Sequence, residues 1–160
     1  MDQISLLLRD VTDDDLPIFF EQQLDPDANW MAAFTSQDPN NRQAFMAKWA
    51  RIRADESILI RTIVVDGQVA GSVLSYVSDG EPEVSYWLGR EFWGKGIATQ
   101  ALAAFLQIQT LRPIYARAAK DNLASLRVQE KCRFKVTEED KGFANARGME
   151  IEEYTLCLEL

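Results

Sequence analysis

At 160 residues, 47% hydrophobic and 26% charged, the chain has the size and make-up of one soluble domain with a proper core. Its 25 acidic against 17 basic residues give a net charge of −8, which disfavours a nucleic-acid-binding surface and suits solubility or a cationic partner. There is no histidine, which excludes Ser-His-Asp and Cys-His catalysis and the commonest metal ligand, and leaves acid–base work to carboxylates, Tyr, Ser, Cys, Lys or water.

No apolar run approaches the roughly 20 residues of a membrane span, so no membrane partner is expected. The start Met-Asp-Gln-Ile lacks the basic region and apolar core of a signal peptide, which makes a cytoplasmic protein the expectation. Cys132 and Cys157 have no CxxC spacing, so neither a disulfide framework nor a metal site is expected.

Ile4 to Val11 reads as a first strand, interrupted by Arg9 and Asp10. Thr12 followed by Asp15 is a relative of the capping box, Pro17 suits a first helical turn, and Leu16, Phe19, Phe20 and Leu24 mark one helical face. Asp25 to Asn41 holds Pro, Asp, Asn and Ser and reads as a loop or broken helix; its Trp30, Met31 and Phe34 either line a cleft or cover the core. Asp38-Pro39 opens a second helix with Phe45, Trp49 and Ile52 on one side, and Lys48, Arg51 and Arg53 on or beside the polar side.

A run of strands follows. Ile58 to Val65 leads into Asp66-Gly67, a tight hairpin signal, and Val69 to Val77 returns antiparallel, with Gly71 suited to a close backbone approach or a bulge. Ser78 to Pro82 turns the chain into a strand over Glu83 to Leu88. From Ile97 to about Thr110, Ile97, Ala101, Leu102, Phe105 and Ile108 recur at helical spacing. Ile114 to Ala118 is a short strand. Asp121-Asn122 caps a helix with Ala124, Val128 and Cys132 in line, and Phe134–Thr137 and Glu150–Leu160 close the chain as strands. The pattern β-α-α-β-β-β-α-β-α-β-β predicts an α/β fold with one twisted mixed sheet.

The stretch Leu88-Gly-Arg-Glu-Phe-Trp-Gly-Lys-Gly-Ile-Ala-Thr99 sits between a buried strand and an amphipathic helix. Glycines opening a helix leave N–H groups unpaired at the positive end of the helix dipole, an arrangement that binds phosphate. It is not a P-loop, because Lys95 precedes Gly96 and no Ser or Thr follows the lysine. Nor is it a dinucleotide fingerprint, because Ile97, Ala98 and Thr99 follow Gly96.

The whole segment from Glu83 to Leu102 resembles the acetyl-CoA-binding motif of the GNAT N-acetyltransferases. Downstream, Asn122-Leu-Ala-Ser-Leu-Arg-Val-Gln-Glu-Lys-Cys-Arg-Phe134 is similar to the second signature of that superfamily. The Trp in the loop and the Asn-x-x-Ser form look nearest the branch that includes ribosomal-protein N-terminal acetyltransferases. The resemblance implies a GNAT-like α/β fold over residues 1–160, a single acyl-CoA N-acyltransferase domain. Its sheet would be twisted, splayed and mainly antiparallel, of about seven strands, with helices on both faces. Three positions depart from the pattern. Glu91 stands where Gln or Arg is usual, Arg133 replaces the glycine before Phe134, so that helix should end without its left-handed glycine, and Gln129 falls where many members place a general-acid tyrosine.

The resemblance also implies a site. The amides of Trp93, Gly94, Lys95, Gly96, Ile97 and Ala98 would hold the CoA pyrophosphate, with Thr99, Phe92 and Trp87 also at the cofactor site. The backbone near Leu88 would pair with the pantetheine arm in a gap between Glu83–Leu88 and Ile114–Ala118 and leave an N–H to polarise the thioester carbonyl. Asn122 would bind a pantetheine amide, cap its helix, or both. Glu83 is the candidate base and Ser125 the candidate acid, with an exposed strand-end carboxylate and a helix-capping hydroxyl as their plainer alternatives. The cosubstrate would be acetyl-CoA, with no metal, and the acceptor an amine, a protein N-terminus or a small molecule. Direct transfer in a ternary complex is expected, since no Cys or Ser sits beside a base partner as a covalent nucleophile. A non-catalytic CoA-binding sensor, a longer acyl donor and a homodimer stay open. Asp25, Asp27 and the net charge favour a cationic acceptor.

Overall fold

Two hairpins with left-handed turns organise the middle of the sheet in this computed structural model, which describes residues 4–160. Met1, Asp2 and Gln3, where a leader peptide would begin, lie outside the described residues. Asp66-Gly67 and Asp79-Gly80 all have positive φ (49°, 81°, 51°, 79°), the geometry of two-residue turns whose twist matches the strands. They join β2 (Leu59–Val65), β3 (Gln68–Ser78) and β4 (Glu81–Leu88) into an antiparallel meander, with β1 (Leu6–Arg9) added outside β2. β1 is shorter than the Ile4–Val11 expectation: it ends at Arg9, whose side chain pairs with Asp15, and Asp10 just beyond it faces Arg61.

The seven strands run in the order β1-β2-β3-β4-β5-β7-β6, with β5 at Ile114–Ala119, β6 at Lys135–Ala144 and β7 at Met149–Leu158. Every pairing is antiparallel except β4 with β5, which are parallel and meet in register only at Glu83 and Tyr115. The fold is thus a mixed α/β sheet flanked by helices, splayed at its centre. β6 is far longer than the expected Phe134–Thr137. Its Glu138-Glu139-Asp140-Lys141 run has poor strand propensity, and pairing with β7 overrides it on an exposed edge. β7 stops at Leu158, so Leu160 is exposed instead of sharing the buried face of Leu156 and Leu158.

Five helices cover the sheet: α1 (Asp15–Gln23), α2 (Pro26–Ala32), α3 (Arg42–Ala54), α4 (Ile97–Ile108) and α5 (Leu123–Lys131). α2 forms inside the stretch expected to be loop or broken helix, because Asp25 accepts the Asp27 and Ala28 N–H groups and Pro26 suits the first turn. α3 starts at Arg42 rather than at Asp38-Pro39, where Asn41 caps the Ala44 N–H. At the start of α1 the Thr12 side chain is not the cap; Asp15 takes the Thr12 N–H at 2.9 Å, the Thr62 hydroxyl at 2.7 Å and both Arg9 guanidinium arms. Burial alone would raise the Asp15 carboxyl, but these bonds outweigh it and hold it down at about 2.

α4 buries Ile97, Ala101, Leu102, Phe105 and Leu106 in the main core with Val73, Val84, Ile114 and Leu156. Ile108 is 43% exposed, since the helix ends there and no further turn covers it. On α5 the buried pair is Leu126 and Gln129; Val128 and Cys132 are half-buried and Ala124 faces a cleft. α1 and α3 lie on the other face and join through Phe19–Trp49 and Phe20–Phe45 ring contacts at 5.0 and 5.3 Å. No described helix is long and apolar enough to cross a membrane.

Past α5, Arg133 itself takes φ 74°, so the helix ends left-handed as with glycine but with a side chain in place. The Phe134 N–H reaches back to the Gln129 carbonyl at 3.0 Å to close that turn. A left-handed non-glycine residue is strained by about 1–2 kcal/mol. Arg133→Gly is therefore expected to raise stability by about 1 kcal/mol, less the added freedom of the unfolded chain. Urea unfolding at neutral pH checks this; a variant less stable than the parent would show the turn to be unstrained.

Candidate active site

The loop between β4 and α4 is held open from both ends. Gly94 and Gly96 have φ of 73° and 75°, and an added Cβ at either meets nothing within 4 Å. The glycines are thus required by backbone conformation rather than by neighbouring protein atoms. Gly96 is the N-cap of α4 and gives no side-chain cap, so the Ile97, Ala98 and Thr99 N–H groups have no intrahelical acceptor. The loop is anchored by Arg90, which bonds Asp25 at 2.5 and 2.7 Å and also Asp27, and lies 5.2 Å over the Trp93 ring. The bond to Arg90 holds the Asp25 carboxyl at about 2, against the opposing effect of burial. Asp25 and Asp27 thus both face Arg90, two carboxylates against one cation.

The edge of β4 facing β5 is free of ladder partners beyond Glu83. The Gly89 N–H donates to the Ala70 carbonyl at 2.9 Å, so antiparallel alternation sends the Trp87 peptide groups toward β3 and those of Tyr86 and Leu88 into the gap toward β5. Trp93 Nε1 donates to the Leu88 carbonyl at 3.1 Å, which ties the loop to this edge.

A cleft of about 460 Å³ opens over the gap. Of the sequence-derived residues it gathers Trp87, Leu88, Phe92, Trp93, Gly94, Gly96, Ile97, Ala98, Thr99, Asn122 and Ser125; Lys95 and Glu83 do not line it. Met31 from α2 does line it, whereas Trp30 is half exposed under Arg147. Sequence reading missed Arg127 and Lys131, one turn apart on α5, which put cationic groups on a cleft of an acidic protein. Their signal was the i, i+4 spacing within the second motif.

Asn122 caps α5 by accepting the Ser125 N–H at 3.2 Å. The Ser125 hydroxyl lies 2.8 Å from the Tyr86 hydroxyl and 3.3 Å from Gln129 Nε2, which also donates to the Arg117 carbonyl. Gln129 is 2% exposed and its Oε1 is buried without a partner among the described residues. Burial pushes the Tyr86 phenol up, against the pull of its bonds with Ser125 and Gln129, so it is a protonated donor at neutral pH. Tyr86 was missed as well. Period-2 alternation along β4 puts it on one face with Val84 and Leu88, but only the packing of α5 shows which hydroxyl it meets.

Glu83 is not an exposed strand-end carboxylate. It is 6% exposed, on the face opposite Tyr86, and takes the Arg117 Nε–H at 2.8 Å; Arg117 also reaches Glu153 at 3.5 Å. Burial and the neighbouring Glu83 push the Tyr76 phenol up to about 12, and burial raises the Glu153 carboxyl. The same face carries a second cavity of about 450 Å³ between α1, α3 and the β3–β4 pair, with Phe34 on its wall. Trp87 and Tyr86 border both cavities, so β4 is the partition between them. Burial raises both cysteine thiols, which leaves neither activated as a nucleophile. No group of three or more metal-ligating side chains occurs among the described residues.

The family model for the acetyltransferase (GNAT) domain matches residues 5–135. No curated protein matches the chain. Among solved structures it is similar to the microcin C7 self-immunity acetyltransferase MccE in complex with acetyl-CoA and AMP, at 19% identity and TM-score 0.79, covering 100% of this chain and 94% of that one. It is similar to Mycobacterium smegmatis RimJ in complex with CoA-disulfide, at 22% identity and TM-score 0.80, over 96% and 81% of the two chains. A ribosomal-protein-alanine N-acetyltransferase from Brucella melitensis matches at 19% identity and TM-score 0.79, over 96% and 99%. At these identities the likeness is one of fold. The unpaired amides of the glycine loop, the open edge of β4 and the basic face of α5 suit a pantetheine diphosphate. The chain belongs to the GNAT acetyltransferase domain family, and its cosubstrate is acetyl-CoA.

Proposed function

We propose that the protein is an N-acetyltransferase acting on a primary amine by direct attack in a ternary complex. It works as a single domain over residues 1–160, in the branch that includes ribosomal-protein N-terminal acetyltransferases. The observation that carries this reading is the Tyr86–Ser125 hydroxyl pair at 2.8 Å, set between the open β4 edge and α5, across the cleft from the glycine loop. It supplies a proton donor where Gln129 cannot.

The loop amides from Trp93 to Thr99, with Lys95 beside them, hold the pyrophosphate. Trp87, Leu88, Phe92 and Asn122 line the path of the arm. Bound acetyl-CoA supplies the activated acyl group. The Leu88 N–H polarises the carbonyl. Glu83, directly or through a water, takes the proton that an alkylammonium of pKa near ~10 must lose before attack. As the N–C bond forms and the C–S bond breaks, Ser125 passes a proton to the departing sulfur and is resupplied by Tyr86, while the nitrogen releases its second proton to solvent, from which Tyr86 is reprotonated.

Release of free thiol from acetyl-CoA across a library of amines tests the function. Turnover with a primary amine is expected; tight binding with no turnover on any acceptor would favour a sensor. Tyr86→Phe keeps the ring packing and removes the hydroxyl. It is expected to lower kcat by about 10-fold or more, toward the low end of general-acid effects, with acetyl-CoA affinity within about 2-fold. Equal kcat in single-turnover mixing would take Tyr86 out of the proton path.

A further inference from the structure

We infer that the acceptor is a small amine carrying an anionic group, a carboxylate or a phosphate, seated in the cavity between α1, α3 and the β3–β4 pair. This rests on the transferase reading and narrows it.

The cavity measures about 450 Å³, room for a small molecule rather than a flat surface for a chain. Its charged lining is Lys48, Arg51 and Asp38, a local excess of positive charge in a protein of net charge −8. Lys48 and Arg51 lie three residues apart on α3, hence on neighbouring positions of one face. Neither belongs to any ion pair among the described residues, whereas Arg53 two residues on is held by Asp13 at 2.6 Å. Asp38 is the counter-charge at the rim, and it accepts the Asn40 N–H at 3.2 Å.

Of the cavity's charged side chains only Asp38 is acidic; Asp25 and Asp27 face Arg90, and Glu83 and Glu153 face Arg117, outside the lining. A polyamine would meet Lys48 and Arg51 with one carboxylate against two cations.

The lining also holds an unpartnered hydroxyl. Thr35 lines the cavity, and its Oγ1 is buried without a hydrogen bond among the described residues. A buried hydroxyl left unpaired is uncommon, and a ligand oxygen or ammonium would satisfy it. Ser72, 6% exposed, adds a second hydroxyl to the lining. Ser85 and Trp87 carry the cavity to β4, beyond which lies the open strand edge. An amine pointed at β4 with its anion on α3 fills this cavity end to end.

Calorimetry with matched amines tests the inference: phenylalanine against phenethylamine for the carboxylate, phosphoethanolamine against ethanolamine for the phosphate, with spermidine and a short unblocked peptide alongside. At least one anionic member should bind about tenfold or more tighter than its match, and the advantage should shrink as salt rises. The Lys48→Met/Arg51→Met double variant should abolish the preference, and Lys48→Glu/Arg51→Glu should reverse it, each with acetyl-CoA affinity unchanged as evidence of an intact fold. Equal binding within both pairs, tighter binding of spermidine or the peptide, or a preference that survives both variants would overturn it. If acetyl-CoA itself does not bind, the transferase reading fails, and the calorimetric preference still decides what this cavity takes.

Discussion

Glu83→Gln is expected to lower kcat by about 10²–10³-fold while acetyl-CoA binds as before, because the change removes a base and leaves the cleft lining untouched. The substitution keeps the side-chain volume. Arg117, which holds Glu83 at 2.8 Å, retains Glu153 at 3.5 Å and is half exposed, so no cation is stranded in the interior. The height of the rate is the readout, taken by single-turnover mixing at a pH where part of the amine is neutral. A parental rate there would remove Glu83 from catalysis and leave it as a structural partner of Arg117 and Tyr76.

Gly71→Ala should damage both the fold and the cosubstrate site. A Cβ on Gly71 would sit 1.9 Å from the Trp87 carbonyl oxygen, 2.9 Å from its carbon and 3.0 Å from the Leu88 Cα, all backbone atoms. No rotamer change relieves such a contact; β4 must move. The neighbourhood has little give, since the register shift between Ile63 and Val64 already makes Ala70 a bulge, and the Gln22 side chain donates to the Ala70 carbonyl. Overpacking of this kind costs about 1–3 kcal/mol, or roughly 3–10 °C in Tm for a chain of this length. The displaced segment carries the Leu88 peptide and the Trp93 anchor, so acetyl-CoA affinity should fall by about tenfold as well. Thermal unfolding and calorimetry read the two effects separately. Parental values in both would show that β4 shifts freely.

Several features were legible because they are written in neighbouring residues. Asp66-Gly67 adopts the two-residue turn its composition demands, and Asn122 caps the helix that it opens. Gly94 and Gly96 take the left-handed conformations a helix-opening loop needs. Gly71 proved to be a close approach beside a bulge.

Other features depended on partners far along the chain. Asp25 and Asp27 looked like free acids, and only folding brings Arg90, more than sixty residues away, onto them. Arg133 stands where a left-handed glycine is usual, and the turn closed by the Phe134 backbone bond puts the arginine itself in that conformation. The acidic run of β6 reads as loop by propensity and becomes strand because β7 offers an edge. Neither Tyr86 nor Arg127 and Lys131 could be assigned to the cleft before α5 was placed against β4.

By itself the sequence determined the family, the glycine loop and the Asn122–Ser125 helix start, since turn chemistry, capping and alternation act within a few residues. The tertiary structure alone decided that Tyr86 meets Ser125, that Glu83 is buried against Arg117, and that β4 lies between two cavities. Those outcomes come from sheet register and helix docking. They join residues 34 to 39 positions apart, a distance over which no local preference acts.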